Sequence, residues 1–263
     1  MEDTMIRLEE FNMEYNSLKA IKFKSKSKSK SKNEVYFIKR YNKKVIINQE
    51  IIRNPTIQNE LRMKDIKHPN LIEIVNSIPI ANYVYIKYKY YDFPDLIEIY
   101  NLNILNALEL YFFNKDIIIQ LLEVIKFLHS KNIVHRDIKI ENILYDEMTC
   151  KIYLCDFEYC SKYYEGCDNT HITVAGTDRY LAPEITVSNM IINHRKVDIW
   201  NLGIVFFIIL SKGNLLTISE FIQPNIVKKH ILENEYQFIS NCLSSNPSSR
   251  LEAHELLELE YLK

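Results

Sequence analysis

Apolar and polar residues alternate with period two in "NEVYFIKRYN" (Asn33–Asn42) and again in "YVYIKYKYY" (Tyr83–Tyr91). Both runs are rich in β-branched and aromatic residues and read as half-buried strands. Between them, "NPTIQNELRMKDI" offers Asn54 as an N-cap and Pro55 in a first turn, which predicts a short helix. Beyond "DFP" (Asp92–Pro94) the period changes. In "DIIIQLLEVIKFLHS", Ile117, Ile118, Leu121, Leu122, Ile125 and Leu128 fall on one helical stripe. "VDIWNLGIVFFIIL" is apolar nearly all round, as a helix buried in a core must be, and "SRLEAHELLELEYL" predicts a closing amphipathic helix. The pattern is a small strand-rich lobe followed by a larger helical one, with no internal repeat.

Composition narrows the class. Of 263 residues, 47% are hydrophobic, enough for a sizeable core and against disorder along most of the chain. A net charge of -1 disfavours wholesale nucleic-acid binding. The longest apolar run, Leu202–Leu210, is far short of the roughly 18–20 residues that span a bilayer. The acidic start "MEDTMIRLEE" carries no secretory pattern, so a membrane or secreted protein is not expected. Five cysteines (Cys150, Cys155, Cys160, Cys167, Cys242) form no CxxC pair and read as free thiols of a reducing compartment, cytoplasmic or nuclear.

The candidate chemistry lies in "HRDIKIENIL" (His135–Leu144) and "LCDFE" (Leu154–Glu158). Here the chain resembles the eukaryotic-type protein kinases, whose catalytic loop reads H-R-D-L-x-x-x-N and whose metal motif reads D-F-G. "VYFIK" is similar to the V-A-I-K strand, "AGTDRYLAPE" carries A-P-E, and "DIWNLGI" looks like the buried central helix of the family. Any one of these residues alone is more often a turn, cap or surface group than a site; five motifs in order over roughly Asn33 to the C-terminus are specific. The resemblance implies an α+β, two-lobed fold, with a β-rich N-lobe over 33–88, a hinge at 89–91 and a helical C-lobe over 92–263. Residues 1–32 then form an N-terminal segment.

The resemblance also implies roles. Asp137 would orient the substrate hydroxyl and Lys139 would neutralise the phosphate in flight. Asn142 and Asp156 would hold Mg²⁺, a hard cation suited to oxygen donors, and Lys39 would hold the ATP phosphates. Lys89 and Tyr91 in the hinge and Leu144 beneath would cradle adenine, with Tyr88 guarding the back. Met63, Ile74, His135 and Phe157 would stack into a column between the lobes. Glu184 and Arg250 would form a buried ion pair, and Thr177 would brace Asp137 and Lys139. Thr173 stands where many members are phosphorylated, with Arg136 as its expected partner. "GTDRYLAPE" resembles a peptide-docking segment, so the partner would be a protein substrate or a partner kinase.

Four features depart from the family. No glycine occurs before Gly166, so the Gly-rich loop is missing; in its expected place stands "KSKSKSKSK" (Lys24–Lys32). That tract reads as a solvated low-complexity loop, as a phosphate funnel of side-chain charge, or as an import or nucleic-acid arm. Phe37 replaces the V-A-I-K alanine and shares a face with Lys39, so its ring enters the roof of the adenine site. Counting back from "HPN" (His68–Asn70), Asn59 faces the lysine, and Glu60 is left to pair with Lys64. Glu158 replaces the D-F-G glycine, restricting Phe157 and adding negative charge near the metals. Two functions follow: a serine/threonine kinase using Mg-ATP, or a kinase-shaped binding module without turnover.

Overall fold

The alternating segment around Lys39 forms a nine-residue strand, and the first lobe is arranged around it. The computed structural model describes residues 21–25, 34–47, 50–101, 107–164, 176–186, 192–214 and 216–263. Strand β1 (Ile21–Ser25) pairs antiparallel with β2 (Glu34–Asn42), Ile21 facing Ile38 and Ser25 facing Glu34. A hairpin of β3 (Lys44–Ile47) and β4 (Glu50–Arg53) leads into helix α1 (Pro55–Arg62). Strands β5 (Ile74–Ile80) and β6 (Tyr83–Lys89) complete a four-stranded sheet of order β1-β2-β6-β5. The sheet thus starts before residue 33, the boundary that alternation suggests, because Ile21–Ser25 gains its strand character from pairing with β2.

Helix α1 begins where capping chemistry places it. The Asn54 side chain accepts a hydrogen bond from the Thr56 amide at 3.1 Å, and Pro55 occupies the first turn. The helix ends in tightened turns: the Met63 amide bonds the Glu60 carbonyl, Lys64 bonds Leu61, and Ile66 bonds Met63.

The second lobe follows the hinge with α2 (Leu96–Asn101) and the long α3 (Ala107–Ser130). The stripe from Ile117 to Leu128 is fully buried on α3, each aliphatic side chain contributing about 1.5–3 kcal/mol. Short strands β7 (Ile133–Val134), β8 (Ile143–Asp146), β9 (Lys151–Leu154) and β10 (Ser161–Lys162) form two small hairpin-like pairs, β8 with β9 and β7 with β10. Helix α4 (His194–Leu210) is buried from Val197 to Leu210. Gly203 lets it approach its neighbour closely: a Cβ there would meet the Cys242 Cβ and the Leu243 side chain at 2.7 Å.

Helices α5 (Ile218–Phe221), α6 (Pro224–Val227), α7 (Glu233–Ser240) and α8 (Ala253–Leu256) close the lobe. The closing helix expected over "SRLEAHELLELEYL" shrinks to α8 and a single tight turn at Glu260–Leu262. Leu259 is extended, which swings Tyr261 onto the Phe238 ring at a centroid distance of 4.8 Å. Packing here overrides helix propensity. The lobes are stitched by a bridge between Leu71 and Leu154, where the Leu154 amide bonds the Asn70 carbonyl at 2.9 Å and the Ile72 amide bonds the Leu154 carbonyl at 3.1 Å. No helix among the described residues is long and apolar enough to cross a membrane.

Candidate active site

Lys39 points from β2 into a nest of carboxylates. Its ammonium lies 3.0 Å from Glu60 Oε1, 2.7 Å from Asp156 Oδ1 and 3.1 Å from Glu158 Oε1. Burial alone would lower its pKa, but the three anions outweigh burial and hold it well above the ordinary lysine value. Glu60 is fully buried and also accepts hydrogen bonds from the Tyr41 hydroxyl at 2.8 Å and from the Tyr88 hydroxyl. Burial and then the Glu60 charge push both phenols far above their usual range, so they act as donors.

Glu60, not Asn59, therefore partners the lysine. Counting back from His68 assumes a regular helix; the tightened turns after Glu60 wind at about 3.0 residues per turn instead of 3.6 and shift the phase. Lys64, the partner expected for Glu60, instead reaches the Asn76 side chain at 3.5 Å. Asn59 serves elsewhere, its amide donating to the Glu158 carbonyl at 2.7 Å.

The loop between β7 and β8 carries the second cluster. Asp198, on α4, is fully buried and receives the His135 and Arg136 amides at 2.9 and 2.8 Å, with His129 Nε2 at 2.9 Å. Burial pushes the Asp198 carboxyl up, but His129 and the other donors win, and it sits below the usual aspartate value. This anchor helps hold Arg136 at φ +72°, a left-handed conformation that costs a non-glycine residue energy and turns the next side chain into the cleft. Asp137 Oδ1 then accepts from the Thr177 hydroxyl at 2.8 Å, and Lys139 lies 3.0 Å from Asp137 Oδ2 and 2.9 Å from Thr177 Oγ1. Asn142 donates its amide to the Asp137 carbonyl and carboxylate at 3.0 and 3.2 Å.

Asp156 follows β9 with φ +66°, a second left-handed residue, and its side chain is about one-third exposed towards the cleft. Phe157 is fully buried and meets the His135 ring edge-on at 5.8 Å, with Met63 and Ile74 also buried in the same core. Glu158 does not take up a left-handed conformation, so nothing in the backbone here demands glycine. Arg136 reaches the Tyr159 carbonyl at 3.2 Å, and burial lowers its pKa to about 10. Thr173, its expected partner, lies outside the described residues.

On the roof, Phe37 faces Tyr88 across the β2–β6 pairing, their rings edge-on at 6.0 Å. The Lys89 amide is spent on the Glu73 carbonyl at 2.9 Å, while Tyr91 packs against Tyr153 at 4.6 Å. Leu144 lies half-buried on β8, bridged to Asp95. Away from the cleft, Arg250 grips Glu184 through two parallel bonds of 2.7 and 2.8 Å, both side chains buried.

Residues 24–262 match the family model described as "Protein kinase domain". The chain belongs to the protein kinase family. It is 32% identical to the "Putative serine/threonine-protein kinase R436" of Acanthamoeba polyphaga mimivirus over 78% of this chain and 69% of that protein. It is 31% identical to the serine/threonine-protein kinase chk-2 of Caenorhabditis elegans, over 82% of this chain and 48% of the relative. Against the serine/threonine-protein kinase MST20 of Pyricularia oryzae, identity is 28% over 88% of this chain and 25% of the relative. The chain thus spans less than half the length of these last two. Its place is among the eukaryotic-type serine/threonine kinases.

The strand order bears on the Lys-Ser tract. In these kinases the phosphate-binding lysine stands on the third strand, after the Gly-rich loop and a second strand. Here the strand on the outer side of β2 is β1, so β1 takes the second place. In sequence the tract begins in the last residues of β1 and ends two residues before β2. Its anchor, Ser25 opposite Glu34, is five residues from Lys39, roughly 17 Å along the strand, and lies at the hinge end where Tyr36 faces Lys89. Residues 26–33 lie outside the described residues, as does the chain before Ile21, where a phosphate loop would fall.

Tyr41 lies in no motif. The signal is present nonetheless: two residues from Lys39, it shares the lysine's face.

Proposed function

We propose that this chain is a serine/threonine protein kinase that transfers the γ-phosphate of ATP to a protein hydroxyl. One observation carries the reading: Asp137, Lys139, Thr177 and Asn142 form a single hydrogen-bonded group. The Asp137 carboxylate, held by Thr177, Lys139 and Asn142, would orient an incoming hydroxyl and receive its proton. Lys139, whose pKa is raised because the Asp137 contacts outweigh burial, stays charged to meet the phosphate. Thr177 fixes the angle between these two side chains.

The donor set suits magnesium. Asn142 spends its amide hydrogens on Asp137, which leaves its carbonyl oxygen for a cation, and Asp156 offers a partly exposed carboxylate. A magnesium ion held there would neutralise charge on the transferred phosphate. Lys39 is suited to the α- and β-phosphates, with Lys89, Tyr91 and Leu144 around adenine. Peptide docking would fall to the segment after Thr177, with Glu184–Arg250 holding its base, and Arg136 would receive a phosphate on Thr173. The lobes divide at the hinge 89–91. Cys150, Cys155, Cys160 and Cys242 are free thiols, which supports work in the reducing cytoplasm or nucleus.

Glu158 favours a second reading, a binding module without turnover, because its carboxylate claims the lysine that nucleotide needs. A melting experiment with Mg-ATP separates them. Ligand at about 100 times its dissociation constant adds roughly 2.7 kcal/mol, a rise of about 5–10 °C for a chain of this size. We expect that rise, together with phosphate transfer to a generic basic protein. No shift at millimolar Mg-ATP would favour the binding module.

A further inference from the structure

Glu158 stands where the family carries glycine, and its surroundings give it work that glycine cannot do. Its carboxylate, 14% exposed, meets both the Lys39 ammonium and the Tyr41 hydroxyl at 3.1 Å. Tyr41, buried on β2, has one hydroxyl hydrogen, which it shares between that carboxylate and Glu60 on α1, the nearer at 2.8 Å. The Glu158 carbonyl is held by Asn59 at 2.7 Å, and two residues on, the Cys160 carbonyl is held by Arg62 at 2.9 Å. Both of those donors project from α1.

We propose that Glu158 and Tyr41 are positioning residues: a side-chain brace that fastens the Asp156 motif to strand β2 and helix α1. The brace works from both sides of the segment. From the strand, the Lys39 ammonium bonds both the Glu60 and Glu158 carboxylates, and Tyr41 shares its one hydrogen between them; from the helix, Asn59 and Arg62 grip two carbonyls. Asp156 and Lys39 meet at 2.7 Å within this brace. Because Glu60 is also held by Tyr88 and Tyr41, Lys39 can turn to a phosphate without freeing α1. In effect the chain assembles its lysine, helix carboxylate and metal-motif aspartate by internal hydrogen bonds.

The inference rests on reading Lys39 and Asp156 as the phosphate and metal holders, but its test requires no turnover, so the two readings fail separately. Hydrogen–deuterium exchange on the full nucleotide-free chain compares Glu158→Gly, Glu158→Gln and Tyr41→Phe with the parent. Losing the brace should speed exchange in residues 157–160 and in α1 by about tenfold in Glu158→Gly and Tyr41→Phe, with α3 and α4 unchanged. Glu158→Gln keeps an acceptor for Tyr41 and Lys39 and should stay within about threefold of the parent. Unchanged exchange in both segments of Glu158→Gly and Tyr41→Phe overturns the proposal. So does acceleration spread over the whole chain, or a Gln variant as fast as the Gly variant. If Glu158→Gly does not fold, Tyr41→Phe and Glu158→Gln decide.

Discussion

Lys39 and Glu60 meet at 3.0 Å, and the same glutamate accepts the hydroxyl of Tyr88 from the neighbouring strand. The fully buried Glu60 carboxylate is therefore satisfied from three directions, by one ammonium and two phenols. Removing one donor leaves part of a buried charge without a partner. Tyr88→Phe should cost about 1–3 kcal/mol of stability, read as a lower urea midpoint with an unchanged m value. A midpoint equal to the parent's would mean that the Tyr88 bond contributes nothing net.

Asp137→Asn keeps the shape of the loop but removes the proton acceptor. Phosphate transfer should fall by about 10²–10⁴-fold, while the melting shift with Mg-ATP persists. Activity surviving in the purified variant would remove Asp137 from the proposed chemistry.

Asp198 sets an acid limit. Its carboxyl lies below the ordinary value of 3.8 in the folded chain, where the His129 and backbone donors outweigh burial. A depressed carboxylate stabilises the fold at pH above its unfolded value and loses that contribution as pH falls through the lower, folded value. The parent should thus lose stability through this group below about pH 3.8. Asp198→Asn should be less stable at neutral pH, with a flatter dependence in that acid window. Equal slopes for the two proteins in acid denaturation would contradict the assignment.

Arg250→Met strips the partner from Glu184 in a buried site. Breaking such a pair from one side typically costs about 3–5 kcal/mol. Denaturant unfolding should show the loss. The double replacement, Glu184→Leu with Arg250→Met, should recover part of it, because no lone charge is then buried.

Gly203→Ala places a Cβ 2.7 Å from Cys242 and Leu243. The helix cannot shift without disturbing a fully packed core, so a loss of about 1–3 kcal/mol is expected despite alanine's higher helix propensity. A stabilised variant would show that the α4 contact gives way easily.

The sequence makes legible whatever is written locally. Asn54 caps α1, the Ile117–Leu128 stripe lies in the core, and the residues of "HRDIKIEN" come together around Asp137. What it hides depends on distant pairing or on small changes of winding. The strand character of Ile21–Ser25 emerges only once β2 lies beside it. The Lys39–Glu60 pair escapes a residue count because three short-range bonds after α1 alter that count by one. The closing helix is interrupted where Leu259 is extended and Tyr261 stacks on Phe238, a contact with a residue distant in sequence.

The position of β1 bears on how this chain can vary. Repetitive Lys-Ser codons gain and lose units easily, and here the strands on either side of the repeat are paired, Ser25 to Glu34 and β2 in turn to β6. Adding or deleting a unit changes the length of chain between β1 and β2, a cost of about 0.6 kcal/mol even for a doubling. Lys39 keeps its place, because β6 and not the repeat sets its register. Copies of this gene that differ in repeat number should therefore encode the same cleft.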